Sequence, residues 1–436
     1  MVIVGLDCIT GLQTARIFAR RGVPVIGIVG DARHFCSRTR VCDRIVPTDT
    51  RSEHLVETLL DLVTTLSDRA VLVPCTDLAV LLISAHRDAL APHYHVVLPP
   101  HDVVETLTDK TRFYRFAAEH GLLIPPTMLL ESHHDADDAA RSLSFPAIVK
   151  PATRSATWQA AGLRKVYRVE EPRELLAVYE RAAPHADGLI VQQWIPGEER
   201  ELYSCNCYVG RDGRPLASFV ARKIRQWPPE AGTSSLGEEV CNDVVLQQTT
   251  RLFTLVPYFG LGYLEMKRDA RTGEHFIIEP NIGRPTGRSA IAELGGVELL
   301  ATMYADVLGL PLPEQRRQRY RGTKWVYLRH DVQAAVSSWR RGDLTVSGWA
   351  RSWRGVRTDA VFDPRDPLPF WLDLWHTARK VLRGTSPSAA GSDGPDQRVA
   401  LERQIPRGLG SQRGDPVVGV HPDAGDREAV DPSVDA

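Results

Sequence analysis

The sequence predicts a mixed α/β and α+β protein, with a parallel-sheet domain first and a strand-rich domain after it. Three observations lead there. Strand and helix signals alternate over residues 1–100, the pattern of a parallel sheet covered by helices. From about residue 101 the rhythm changes to longer strands joined by tight turns. The stretch FIIEPNIGRPTG (276–287) then runs a buried strand into Glu279 and Asn281, two positions that share one strand face.

The 436 residues suffice for two or three domains. An apolar content of 43% and a charged content of 25% are ordinary for a globular chain. The net charge of −1 supplies no global field for nucleic acid or acidic membranes. No apolar run approaches membrane-spanning length. The opening MVIVGLDCITGLQTARIFARRG lacks a basic leader and a separate apolar segment, so it reads as strand, loop and helix rather than a secretory signal. The seven cysteines (8, 36, 42, 75, 205, 207 and 241) contain no CxxC pair. They suit a structural role in a reducing cytoplasm.

Residues 2–4, 23–29, 44–46, 71–73 and 95–98 are expected strands, and 11–21, 55–66 and 78–89 helices. The loop Gly5-Leu-Asp-Cys-Ile-Thr-Gly11 is not GxGxxG, so the dinucleotide fingerprint is absent. A helix is expected over 109–121, capped by Gly121 ahead of Pro125-Pro126. Strands follow at 146–150 and 189–193, with a helix at 171–183 between them. Hairpins are expected at 202–209/216–224, across Arg211-Asp212-Gly213, and at 263–267/275–279. One helix is expected over 289–310. Residues 323–384 are rich in Trp and Arg and include an amphipathic helix at 369–382. Its Trp371, Leu374, Trp375 and Ala378 form an apolar stripe expected to pack on the body, with membrane docking or partner binding as the alternative. Residues 386–436 have few aliphatics and are expected to be disordered. These shifts divide the chain into 1–100, 101–312, an extension 313–385 packed on the body, and the tail 386–436.

The chemistry gathers on a few residues. Glu265 and Glu279 are expected on facing strands of one hairpin, close enough to reach one point. With Asn281 they form a set of hard oxygen donors that suits Mg²⁺ (or Mn²⁺), and a cation would relieve the repulsion between the carboxylates. Lys110 opens a helix, and Lys150 ends the apolar strand of FPAIVKP, where a phosphate contact fits. The segment Gln192-Gln193-Trp194-Ile195-Pro196-Gly197 reads as a hinge with exposed backbone that could read adenine. Glu201 follows within reach of ribose hydroxyls.

This ordered set resembles the ATP-grasp superfamily over residues 1–312, and within it the bacterial carboxylate–amine ligases related to D-aspartate ligase. ARKIRQWPPEAGTSS and KWVYLRHDVQAAV favour that branch. The resemblance implies a Rossmann-like N-terminal domain followed by an ATP-grasp fold. It implies that Lys110 and Lys150 hold the ATP phosphates. Gln192 stands where many relatives have a Glu that accepts from the adenine amino group; an amide oxygen also accepts. Gln193, Trp194 and Ile195 would supply hinge backbone, Glu201 the ribose contact, and Glu265, Glu279 and Asn281 the metal ligands. Arg284 would steady the phosphoryl group or the acyl intermediate. One departure is the loop ATRSATWQAAG, glycine-poor where many relatives are glycine-rich; Arg154, Ser155 or Lys165 would cover the phosphates instead. No GxxxxGK[ST] is present.

Lys223 and Arg225, with Arg222, alternate with apolar residues in SFVARKIRQW. They read as a solvated strand face or as an anion-binding wall at the reaction centre, and the second reading makes Lys223 and Arg225 catalytic candidates. Asp7, Thr10 and Asp77 could face substrate from the N-terminal domain or cap helices. The expected activity is ATP-dependent joining of a carboxylate to an amine through an acyl phosphate, releasing ADP and phosphate. The alternatives are a phosphotransferase or carboxylase on the same fold, or an ATP-binding protein without turnover. The expected partners are small carboxylates and amines, with no nucleic acid and no membrane span; a homodimer is compatible.

Overall fold

The structure is a computed structural model that describes residues 1–382 apart from 154, 230 and 231. The expectations for the tail 386–436 and for Arg154 lie outside the described residues.

Strands β1 (Val2–Val4), β2 (Ile26–Val29), β3 (Arg44–Pro47), β4 (Ala70–Pro74) and β5 (Tyr94–Val96) form a five-stranded sheet in the order β3-β2-β1-β4-β5. Every pair is parallel, as the strand–helix alternation predicts. The central strands β1, β2 and β4 are short, largely aliphatic and buried, as covered parallel strands are, whereas no residue of the edge strand β3 is fully buried. The turn out of β1 is tight: Gly5 has φ +85°, and a Cβ on Gly11 would stand 2.3 Å from the Gly5 carbonyl oxygen. Only glycine fits both places.

Strands β6 (Thr127–Leu130), β7 (Ala147–Pro151), β8 (Tyr167–Val169) and β9 (Leu189–Gln193) form an antiparallel sheet ordered β6-β9-β7-β8. Helices His133–Ser142 and Pro172–Ala182 close its own core around Val149, Trp158, Leu175 and Val191. β6 and β8 escape sequence reading because four and three residues carry no usable periodicity.

The third sheet contains β10 (Leu202–Val209), β11 (Pro215–Trp227), β12 (Thr233–Glu239), β13 (Gly260–Arg268), β14 (His275–Ile282), β15 (Lys324–Val326) and β16 (Val356–Asp359). Their order is β14-β13-β10-β11-β12-β15-β16. All pairs are antiparallel except β15–β16. β14 continues to Ile282, so Glu279 and Asn281 lie inside a strand rather than at its end. The single helix expected over 289–310 is two, Ser289–Leu294 and Leu299–Val307. Gly295-Gly296 separates them, with Gly296 at φ +90°.

Two apolar clusters run without a break from the parallel sheet into the large sheet. One joins Val4 and Leu72 to Leu264 and Ile277; the other joins Ile3 and Val73 to Phe219 and Trp325. Buried ion pairs add the last strands and helices. Arg16, on the first helix, forks onto Asp366 at 3.0 and 2.9 Å. Arg225, on β11, forks onto Asp331 at 2.8 and 2.9 Å. The same Asp331 carboxylate accepts the indole N–H groups of Trp349 (2.8 Å) and Trp353 (2.9 Å). The C-terminal helix is Leu368–Leu382, but its apolar stripe does not pack as expected: Trp371 and Trp375 are 61% and 63% exposed. The helix is instead anchored through Asp373, which is buried and accepts from Tyr327 Oη (3.1 Å) and the Arg329 guanidinium (2.9 Å).

Asp331→Ala leaves the Arg225 guanidinium buried without its counter-charge. The expected cost is about 3–5 kcal/mol, read as a fall of several degrees in melting temperature; an unchanged melt would show that the pair does not anchor this region. His330, buried against Tyr327 with ring centroids 4.3 Å apart, has its pKa pushed down from 6.5 to about 3, first by burial and then by Arg329. Below pH 6.5 the unfolded chain binds a proton here that the folded chain refuses until about pH 3. The site's contribution is therefore complete above pH 6.5 and is lost as the pH falls towards 3, by roughly 1.4 kcal/mol per pH unit. His330→Phe should flatten that part of the acid limb of a denaturant-unfolding series; an identical limb would exclude this histidine as its source.

Candidate active site

β13 and β14 pair so that Glu265 stands directly opposite Glu279, and Asn281 opposite Tyr263. Directly opposed side chains have Cβ atoms about 5 Å apart. The two carboxylates therefore share one region, with Asn281 on the same face two residues along. Like charges at this spacing repel, and three cations answer them. Lys223 Nζ, from β11, is 3.4 Å from Glu265 Oε2. Arg288 Nη2 is 3.7 Å from Glu265 Oε1 and donates to Ser204 Oγ at 3.2 Å. Burial pushes the Glu265 carboxyl up, but Lys223, Arg288 and Arg284 outweigh it and hold the group below the ordinary carboxylate range. Glu279 is exposed and has no ion-pair partner among the described residues.

Arg284 joins this centre to the parallel sheet. Its guanidinium donates to Asp77 Oδ1 (2.5 Å), Tyr263 Oη (3.0 Å) and Asn281 Oδ1 (2.7 Å). Asp77 is thus brought to the site. It is not the helix cap, because Thr76 Oγ takes the Ala79 N–H at 3.3 Å. Asp7 caps no helix either; it accepts the N–H groups of Gly30 (3.0 Å) and Asp31 (2.9 Å) and closes the loop after β2. Thr10 is buried within the first helix, beside the 283–287 loop: a Cβ on Gly287 would lie 3.5 Å from Thr10 Oγ.

The oxygen set fits a hard cation in part. The two opposed carboxylates supply anionic donors, and the Asn281 Nδ2 atom is buried with no hydrogen-bond partner. The Asn281 oxygen accepts from Arg284 with one lone pair, and its second lone pair is available to such a set. Among the described residues no cluster of three or more His, Cys, Asp or Glu forms, so any cation here relies on two acids and an amide.

The two lysines meet on one helix. Lys110 opens the helix Lys110–Glu119 and its Nζ lies 3.5 Å from the Ala152 carbonyl oxygen. Lys150 donates to Tyr114 Oη at 2.8 Å, one turn further along that helix, and to Gln192 Oε1 at 3.2 Å. Gln192 is buried on β9. Beyond it, the N–H groups of Gln193 and Trp194 are spent on Pro126 O and Pro146 O, each at 2.9 Å. That of Ile195 has no partner among the described residues, so it is a donor not yet spent on the fold. The Trp194 ring carries Lys267 Nζ at 4.3 Å and the Arg168 guanidinium at 4.9 Å. Glu201 lies 3.4 Å from Arg268 Nη1. Ser155 Oγ caps the short helix Ala156–Ala160.

Arg225 departs from the expected wall. It is committed to buried Asp331, and only Lys223 of the pair reaches Glu265, because the ladder between β11 and β12 slips at a bulge between positions 223 and 225. Sequence reading missed Arg288, Tyr263, Lys267, Tyr114 and Thr127. Arg288 had a signal, four residues after Arg284 in GRPTGRS. Lys267 had one in its two-residue spacing from Glu265. Thr127 had none, since only the sheet register sets it opposite Gln192.

No family model matches the chain. A D-aspartate ligase of Enterococcus faecium is 26% identical over 284 residues, covering 60% of this chain and 65% of that protein. A D-alanine–D-alanine ligase B of Pseudomonas putida is 34% identical over 184 residues, covering 40% of this chain and 54% of that protein. The chain therefore spans less than two thirds of either relative. The biotin carboxylase domain of Hydrogenobacter thermophilus 2-oxoglutarate carboxylase, solved as a dimer with MgADP, ADP and bicarbonate, superposes with a TM-score of 0.58 at 14% identity, over 72% of this chain and 71% of that one. N5-carboxyaminoimidazole ribonucleotide synthetase of Thermus thermophilus gives 0.55 at 18% identity, over 73% and 81%. The chain is thus similar in sequence to the former two proteins and shares its backbone fold with the latter two.

Proposed function

We propose that this protein is an ATP-dependent carboxylate–amine ligase. The observation that carries the reading is the cross-strand pair Glu265–Glu279, with Asn281 on its face and Lys223, Arg288 and Arg284 around it. In this reading residues 1–100 form a Rossmann-like domain that presents substrate, 101–312 hold the nucleotide and metal, and 313–385 buttress the large sheet. The sheet order β3-β2-β1-β4-β5 supports the first assignment. Lys110 and Lys150 hold the ATP phosphates. Gln192, the Gln193–Ile195 backbone and Trp194 hold the adenine, and Glu201 the ribose. Glu265, Glu279 and Asn281 would hold Mg²⁺ or Mn²⁺, which when bound would supply positive charge against the nucleotide phosphates. Asp77 and Thr10 border the substrate space, Asp7 shapes the loop beside it, and Arg225 acts through the fold.

The substrate carboxylate attacks the γ-phosphoryl group, and ADP leaves with the electron pair of the broken P–O bond. The amine then attacks the acyl carbon, the C–O bond to phosphate breaks, and the amine loses a proton. Lys223, Arg284 and Arg288 supply positive charge where the phosphoryl and tetrahedral oxyanions develop. Positioning and charge do most of the work, since no protein bond is made. A cytoplasmic setting fits a chain in which no disulfide forms, and no described helix is long and apolar enough to cross a membrane. A homodimer is proposed by analogy with the dimeric biotin carboxylase domain.

A screen of D- and L-amino acids and small dicarboxylates with ATP, Mg²⁺ and hydroxylamine, without amine, tests the chemistry. The active carboxylate should give a hydroxamate and ADP. Accumulation of AMP would mean adenylation and reject the site assignment, whereas carboxylate-independent ADP with no hydroxamate would favour a phosphotransferase or carboxylase. Glu279→Gln keeps the shape of the strand but removes one metal charge, and should lower turnover at limiting Mg²⁺ by about 10–100-fold; activity within about twofold of wild type would remove Glu279 from the metal set.

A further inference from the structure

We infer that Thr127 decides which nucleotide base the protein accepts, by locking the Gln192 amide with its oxygen outward. The inference rests on the adenine-site reading of Gln192 given above. Thr127 and Gln192 are directly opposed on β6 and β9, and both are buried, at 7% and 2% exposure. The Thr127 hydroxyl donates its one hydrogen to the Pro125 carbonyl at 2.6 Å. Its oxygen can then only accept, and it accepts from Gln192 Nε2 at 2.9 Å. A turned-over amide would set two oxygens against each other and leave a buried acceptor unpaired. Gln192 Oε1 therefore points away from Thr127, to where Lys150 Nζ reaches it at 3.2 Å.

Lys150 and Thr127 favour the same orientation from opposite ends of the amide. If Lys150 turns to the phosphates when nucleotide binds, Thr127 alone holds it. The distinction matters because position 192 carries an amide. A carboxylate presents only acceptors whichever way it turns, but an amide can present either an acceptor or a donor. Locked, Gln192 accepts from the 6-amino group of adenine and repels the O6 of guanine. Released, it can turn its NH₂ towards O6 and admit guanine. Selectivity of this kind needs the repulsive element as much as the attractive one. Thr127 is thus a positioning residue, acting on the base through Gln192.

The test is competition of ATP and GTP against a fluorescent N-methylanthraniloyl-ADP, with Mg²⁺, on the full chain. Wild type should prefer ATP by about 100-fold or more. Thr127→Val, which keeps the β-branched shape, should narrow that preference by about tenfold, while Thr127→Ser should retain it. In a Gln192→Glu background the Thr127→Val change should move the ratio by less than about twofold, since a carboxylate needs no orientation. An unchanged ratio in a normally melting Thr127→Val protein, or equal narrowing in both backgrounds, would overturn the inference. Wild type alone provides a second measurement, independent of whether the variants fold. ITP, with an oxygen at position 6, should bind more weakly than purine riboside triphosphate, with only hydrogen there; ITP binding as well or better would overturn the lock. Binding of ATP and GTP with equal affinity would reject this inference and leave the ligase reading standing, whereas binding of no nucleotide would reject both.

Discussion

Two carboxylates held face to face are the constraint around which the large sheet is organised. The β13–β14 register sets Glu265 against Glu279, an arrangement that weakens a hairpin unless charge is returned to it. The protein returns it from three separate directions: Lys223 across β10 from β11, Arg288 from the loop after β14, and Arg284 from the same loop but tied to the parallel sheet through Asp77. Each cation brings an element into place. The electrostatic problem of the site and the packing problem of the fold therefore have a common solution, which is why the apolar clusters run continuously beneath it.

The four-stranded sheet is organised differently. Its core is its own, and its links to the rest include polar ones, such as Lys150 to Tyr114 and Lys110 to the Ala152 carbonyl. Trp194 sits at the junction, stacked by a cation from each side of it: Arg168 from β8 and Lys267 from β13. A ring held this way can slide against its partners at little cost, since cation–π contacts are broad in angle and worth about 0.5–2 kcal/mol.

Much of this was legible in the sequence because strand periodicity and turn chemistry are local. The pairing of Glu265 with Glu279 followed from one hairpin with Asp and Gly in its turn, and the parallel sheet from repeated strand–helix alternation. What escaped was set by contacts between distant segments. The bulge that separates Lys223 from Arg225 leaves no mark in an alternating stretch, so a structural arginine and a site lysine looked alike. The stripe Trp371–Trp375 had the right spacing for burial, but a buried Asp373 ionically tied to Arg329 decided which side of the helix turned inward. Thr127 and Tyr114 act through partners some 65 and 36 residues away, beyond any local pattern.

Arg16 and Asp366 form a buried pair 350 positions apart. The first helix of the chain therefore carries a charge that is neutralised only by a residue synthesised near the end of the described chain. During translation the N-terminal sheet would emerge with a guanidinium whose burial is unfavourable until Asp366 arrives. The parallel sheet can collapse early, but its outer helix stays unsealed until then. This long-range lock makes completion of the parallel-sheet layer wait for a segment 350 positions further along the chain.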